Sequence, residues 1–350
     1  TTGAKNVAIG QASLDANTTG DCNTAVGKSA LGANTTADNN TAVGICALKS
    51  NTTGLENTAV GCGALDNNTT AGCNTSIGSG SMGDNTTGAN NVAVGRSALG
   101  SNTTGDSNVA VGRNSLTLST TTTGNTGIGA FVLNATTTGG CNTAVGWQAL
   151  TANTTGAGNI GMGLEAGCSI TTGIRNIAIG DQVFATATTG DYNTVMGYAA
   201  AYELSSGSSN IAIGSNAGRA ASPFQITTQS NRIVLGDNNI TNAYIRVAWT
   251  VTSDLRDKTE IADVPHGLEF VDKLKPVSFK FKKSREDDTP TGTKHYGFLA
   301  QDILELEGDN NVIIDNEQPE KLKYKGEHLV PVLVNAIKEL KKEIDQLKNK

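Results

Sequence analysis

Ser253 and Lys258 stand five residues apart in the stretch Ser253-Asp254-Leu255-Arg256-Asp257-Lys258. A serine hydroxyl is a weak nucleophile until a base takes its proton. A lysine can be that base when burial favours its neutral form. In a continuous helix, residues five apart point about 140° away from each other. Ser253 must therefore lie on an extended or turn segment, and the chain must bend to bring Lys258 back. Asp254 and Asp257 oppose a neutral lysine unless they point away or are paired, with Arg256 the nearest cation. His295 is the one histidine placed to assist, beside Gly297-Phe298-Leu299-Ala300-Gln301. His266, His295 and His328 are too scattered for a metal site, so each is read as structural and no metal is expected. No phosphate loop or glycosidase-like carboxylate pair stands out, and no cofactor is expected.

This stretch lies at a change of composition. Residues 1–252 carry 21 charged side chains and residues 253–350 carry 37, although each part nets −3. That contrast places a domain boundary at Ser253. No basic patch points to nucleic acid. No apolar run approaches the ~20 residues of a transmembrane helix, so membrane insertion is not expected. The chain begins inside a repeat, and a longer protein is therefore expected. The six cysteines all lie before residue 253 and form no CxxC pair. They read as isolated buried thiols, with an interchain bridge or a metal site as the alternatives.

The part before the seam is periodic. Asparagine recurs every 17 residues from Asn6, Asn23 and Asn40 to Asn210, and glycine follows each four residues later, from Gly10 to Gly214. A fixed period in this range specifies a solenoid or array. Each repeat reads Asn-Thr-Ala-Val-Gly, a small-apolar pair, then Asn-Thr-Thr-Gly. Two short strands and two turns per repeat are expected, because 17 residues leave no room for a helix. Glycine after the strand suits a positive φ or a close backbone approach, and Asn-Thr-Thr-Gly is turn chemistry. Stacking at ~4.8 Å makes a rod of roughly 60 Å. A single coil built of Ala, Val, Ile and Leu is thin, so three coils are expected to wrap about one axis.

The Asn-Thr-Thr tripeptides at Asn17, Asn34, Asn51, Asn68, Asn85, Asn102 and Asn153 also fit the N-glycosylation pattern. Their threonine rows raise ice binding as a sharper alternative. After Asn210 the repeat degrades, with an insertion at Pro223-Phe224 and an altered last strand, Arg232–Gly236. Tyr244–Trp249 reads as a capping strand, and Trp147 and Trp249 as packing residues. The repeat resembles the head repeat of trimeric autotransporter adhesins (compare Asn6-Val7-Ala8-Ile9-Gly10), although the usual head repeat is shorter. That resemblance implies β-rolls packed as trimers.

After the seam, a helix is expected over 265–274, a strand over Val277–Lys282, a polar loop over 283–294 and a strand from His295 to Phe298. A helix from Ala300 to Glu307 and short strands at Val312–Ile314 and Leu322–Tyr324 follow. Val330, Leu333, Ile337, Leu340, Ile344 and Leu347 are spaced 3, 4, 3, 4, 3, a coiled-coil seam on a helix over 327–349. Ser253–Lys258, His295-Tyr296-Gly297-Phe298-Leu299-Ala300-Gln301-Asp302 and Leu329–Leu340 together resemble the C-terminal intramolecular chaperone domain of endosialidase-type phage tailspikes. The resemblance implies a trimeric chaperone that helps the preceding fibre fold and then frees itself by autoproteolysis, with Ser253 and Lys258 in the family's serine and lysine positions. Cleavage is then expected at a bond flanking Ser253, either Ser253–Asp254 or Thr252–Ser253.

The expected fold is mainly β: a 17-residue-repeat β-solenoid, trimeric, over 1–236, a connector over 237–252, and a small α+β domain over 253–350 ending in a coiled-coil helix. The expected function is a viral fibre or tailspike, on a virion or otherwise extracellular, whose C-terminal chaperone cuts itself off. A homotrimer and a host glycan or receptor are the expected partners. The competing reading is a surface adhesin or shaft whose C-terminal domain trimerises without cutting.

Overall fold

The computed structural model describes residues 2–220, 222–240, 242–244, 246, 253–282, 285, 287–308 and 311–349. The chain forms two compact units, Thr1–Ile240 and Thr241–Lys350.

The first unit is a β-solenoid. Fourteen three-residue strands, from β1 (Val7–Ile9) to β14 (Ile233–Leu235), form one sheet in sequence order. All pair in parallel and in register, so that Thr41, Ala42 and Val43 face Thr58, Ala59 and Val60. From the second strand onward, the middle residue of each strand is buried. Ala25, Ala42 and Ala59 are fully buried, together with the following Ala-Leu pairs such as Ala30-Leu31 and Ala47-Leu48. Where one core position shrinks, a neighbour grows. Gly127 replaces the strand alanine and Val132 fills beside it, whereas Gly167 replaces the leucine and Ile170 takes up its space.

One strand per coil forms among the described residues, where two were expected. The Ala-Leu pair is inward-facing yet not extended: Leu31 and Leu48 adopt left-handed φ values of 49° and 50°. The coil turns at these leucines, and their N–H groups donate to the next coil (Leu31 N to Ala47 O, 3.0 Å). The strand glycine is required twice over. Gly44 has φ 135°, and a Cβ there would lie 2.5 Å from Gly61 O.

The remaining backbone is stitched by two buried asparagine ladders. Asn57 Oδ1 accepts the Asn74 N–H at 3.1 Å, and Asn57 Nδ2 donates to Ala71 O at 2.9 Å. The second ladder uses the asparagines of the Asn-Thr-Thr tripeptides. Asn68 Nδ2 donates to Asn51 Oδ1 at 2.9 Å and to Ala71 O at 3.0 Å. Asn34, Asn51, Asn68, Asn85, Asn102 and Asn153 are fully buried. A glycan attached at such an Nδ2 is incompatible with the folded coil, so these tripeptides are structural. The adjoining threonine row is also committed, since Thr52 Oγ1 donates to Thr69 O at 3.0 Å.

Three expectations about side chains change. None of the six cysteines is buried; Cys22, Cys73 and Cys141 sit on the outward left-handed residue before the ladder asparagine. Trp147 is 45 % exposed. A single coil also fills its own core, and it is the outer third residue of each strand, Val, Ile, Met or Leu, that is left facing outward. At the far end, the longer interval before β14 folds inward, burying Phe224 and Ile226 over the last coils. Trp249 and most of the expected capping strand lie outside the described residues.

The second unit contains α1 (Leu268–Asp272), β15 (Val277–Lys282), β16 (Pro290–Gly297), α2 (Ala300–Glu307), β17 (Ile314–Asp315), β18 (Lys323–Tyr324) and α3 (Leu329–Lys348). β15 and β16 form one antiparallel pair, β17 and β18 another. Phe270, Ile303, Ile313, Ile314, Leu329 and Val332 make its core. β16 starts at Pro290, inside the expected loop, because Phe281 and Lys282 pair with Thr291 and Pro290. Val312 and Ile313 are not in a strand: their N–H groups, with that of Ile314, are taken by the buried Glu307 carboxylate at 2.7–2.9 Å. α1 begins three residues after Pro265, since the Val264 and His266 carbonyls are held by Asn335.

Candidate functional site at Ser253 and Lys258

Leu255–Asp257 form a single 3-10 turn. Asp254 caps it: its backbone is extended (φ −67°, ψ 137°), and its Oδ1 accepts the Arg256 N–H at 2.9 Å. The chain returns to an extended conformation at Lys258, whose N–H closes the turn on Leu255 O at 3.1 Å. A tight turn between two extended residues reverses the displacement that a helix would impose. Lys258 Nζ thereby reaches Ser253 Oγ at 2.8 Å.

The aspartate nearest the pair is neutralised by its neighbour. The Arg256 guanidinium meets Asp254 through Nε at 3.0 and 3.1 Å and through a second nitrogen at 2.5 Å. The Arg256 side chain, and then its backbone N–H, hold the Asp254 carboxyl below the usual aspartate range; Asp254 in turn raises the arginine. Asp254 thus pairs with Arg256, and Lys258 Nζ is left to the serine.

The pair is open to solvent. Ser253 and Lys258 are exposed, as is every residue from 255 to 265, with Leu255 and Ile261 exposed apolar side chains on either side of Lys258. A lysine serves as a base when burial favours its neutral form, and the described residues leave Lys258 exposed. Of the two candidate bonds, Ser253–Asp254 lies within the described residues, whereas Thr252 lies outside them.

His295 is elsewhere engaged. It stacks on Phe279 (ring centroids 5.7 Å apart) and meets the edge of Phe281 (5.4 Å) across the β15–β16 pair. Among the described residues no hydrogen bond joins it to Ser253 or Lys258. His266 stacks on Phe270 at 4.4 Å, and His328 ends the turn that leads into α3. Among the described residues no three His, Cys, Asp or Glu side chains are grouped to hold a metal. The Gly297–Asp302 motif starts α2 and packs Phe298 toward Tyr324 (5.8 Å), so it builds the core and does not touch the dyad. No helix among the described residues is long and apolar enough to cross a membrane.

Sequence reading missed two side chains that hold the segment after the dyad: Asn335 and Glu339, both on α3. Their only sequence signal is that they sit four apart beside the buried Val332 and Ala336.

Residues 253–312 match the family described as the chaperone of endosialidase, and the match begins at Ser253 itself. That family is associated with self-cleaving chaperone activity. No curated protein and no solved structure matches the chain. The chain thus joins a β-solenoid to a segment similar to the chaperone of endosialidase, a combination that fits a phage tailspike or fibre. The Leu329–Leu340 motif lies beyond the matched residues.

Proposed function

We propose that this chain is a trimeric viral fibre or tailspike protein, borne on a virion, whose C-terminal domain assembles and folds the rod and then cuts itself off at Ser253. The observation that carries the reading is the 2.8 Å contact from Lys258 Nζ to Ser253 Oγ, at the first residue of the family match. Two outward apolar rows support the trimer: the third residues of the fourteen strands, and the α3 seam, whose Val330, Ile337 and Leu347 are 56, 65 and 70 % exposed. The rod is the part that would meet a host glycan or receptor.

In the simplest route, Lys258 Nζ takes the Ser253 hydroxyl proton as Oγ attacks the Thr252 carbonyl carbon. The C–N bond breaks, the proton passes to the Ser253 nitrogen, and water hydrolyses the resulting ester. Cleavage at Ser253–Asp254 instead needs a serine from a second copy, because attack on its own carbonyl would close a four-membered ring. Mass spectrometry of the purified protein decides: a released fragment beginning at Ser253 or Asp254 identifies the bond. S253A and K258A are expected to leave an uncut chain of normal oligomeric mass. A wild-type chain that stays whole after assembly would favour the non-cleaving shaft.

A further inference from the structure

Among the described residues, the turn that holds Ser253 and Lys258 has no anchor outside itself. Every described hydrogen bond of residues 253–263 is internal to the turn. The nearest fastening is at 264–268, and both side chains that make it come from α3. Asn335 Nδ2 donates to Val264 O at 3.2 Å and to His266 O at 3.3 Å. Glu339 Oε2 accepts the Leu268 N–H at 2.6 Å. The contact is close enough to exclude a side chain at Gly267, where a Cβ would collide with the Glu339 carboxylate.

Val264 follows Lys258 by six residues. An extended chain of that length spans at most about 20 Å, so the clamp confines the dyad to the neighbourhood of α3. The same helix carries the assembly seam on another side. At 100° per residue, Asn335 and Glu339 lie on the Val332 side of the helix, about 150° round from the centre of the Val330–Leu347 row. One helix thus offers its seam to other copies and grips the cleavage segment with its nearly opposite face.

From this geometry, and resting on the self-cleavage reading above, we propose that Asn335 and Glu339 are positioning residues for cutting at Ser253. They tie the dyad to the assembly helix, so that packing of the seam fixes where the dyad lies. Neither touches the reacting atoms.

The test compares cleavage rates of full-length wild type, N335A, E339A, E339Q and G267A, each divided by the fraction assembled as measured by native mass. Misplacing a reacting pair by an ångström can cost about a hundredfold, and E339A and G267A are each expected to slow cutting by about tenfold or more in the assembled protein. N335A should slow it in the same direction. E339Q should recover most of the rate, because its Oε1 still accepts the Leu268 N–H. A purely structural role would lower assembly in E339A and leave the rate per assembled oligomer unchanged, which overturns the proposal. So would E339A cutting at the wild-type rate while S253A stays uncut; the self-cleavage reading then survives alone. If wild type is not cut, both readings fall.

Discussion

Lys258 Nζ reaches Ser253 Oγ at 2.8 Å although the two residues are five apart, and the reach depends on the side chain between them. Asp254 caps the intervening turn and binds Arg256 at once. A residue type that should oppose the dyad therefore builds it.

Asp254 titrates in a direction that makes this testable. Its carboxyl is held below the usual range, first by the Arg256 side chain and then by the Arg256 N–H. A depressed folded value means that the turn gains from the charged carboxylate at every pH above the unfolded value, and loses that gain as pH falls through the folded value. The carboxyl carbon of Asp254, followed by NMR in S253A, should titrate below free aspartate, and R256A should move the midpoint upward. Cleavage by D254A should fall by about tenfold through loss of placement, whereas D254N, which can still cap, should lose less. Equal rates for D254A and wild type would remove Asp254 from the mechanism.

The strand glycine sets a second expectation. Gly44→Ala places a Cβ 2.5 Å from Gly61 O at φ 135°, with backbone on both sides of the clash. Coils above and below fix that spacing, so neither can withdraw. Strain of this kind costs about 1–3 kcal/mol before the steric term is added. G44A should lower the unfolding free energy of the rod by at least that amount in chemical denaturation. The open position Gly63, with nothing near its missing Cβ, is the control: G63A should cost less.

The asparagine ladder should be sensitive in a different way. Asn57→Ala removes the acceptor of the Asn74 N–H and one of the two donors to Ala71 O. Ala71 O keeps Asn68, but the buried Asn74 N–H is left without its partner. An orphaned buried group costs about 1–3 kcal/mol. N57A should lose about that much in equilibrium unfolding, and slowed hydrogen exchange at the Asn74 amide should disappear. Retained protection there would mean that water replaces the side chain.

These features differ in how far the sequence reveals them. The solenoid is legible because Asn57 and Gly61 each meet a requirement that no other residue type satisfies as well, and so they recur without a gap. The second strand was misread because Ala47-Leu48 faces inward like a strand pair, while Leu48 reaches the core through a left-handed turn. Asn51 reads as a turn or a glycan acceptor, since nothing local reveals that its partner is Asn68 one coil on. At the dyad, residue types and the bend were legible, and Arg256 stood out as the nearest cation, but which aspartate it would pair with was not. Asn335 and Glu339 were not, because polar residues between heptad positions look like solvent-facing ones, and their partners lie about 70 residues away in the chain.

The outward strand row carries the last prediction. All fourteen strands end in Val, Ile, Met or Leu, from Ile9 to Leu235. Strand spacing makes this a stripe of roughly 60 Å. Isolated exposed apolar residues are ordinary, but an unbroken row of this length marks a docking surface. Each residue lies outside its own coil's core, so a polar replacement should leave the coil folded. Val94→Asp and Val111→Asp together should therefore reduce the native mass from three chains toward one without changing the rod's circular dichroism. Charges brought together about a three-fold axis would repel, and burial worth about 1.5–3 kcal/mol per Val or Ile would be lost. The α3 seam gives an independent arm. Ile337→Asp should block assembly of the C-terminal unit and with it any cutting at Ser253. A rod whose mass is unchanged by the paired aspartates would show that its strand face is not where copies meet, and would leave assembly to α3 alone.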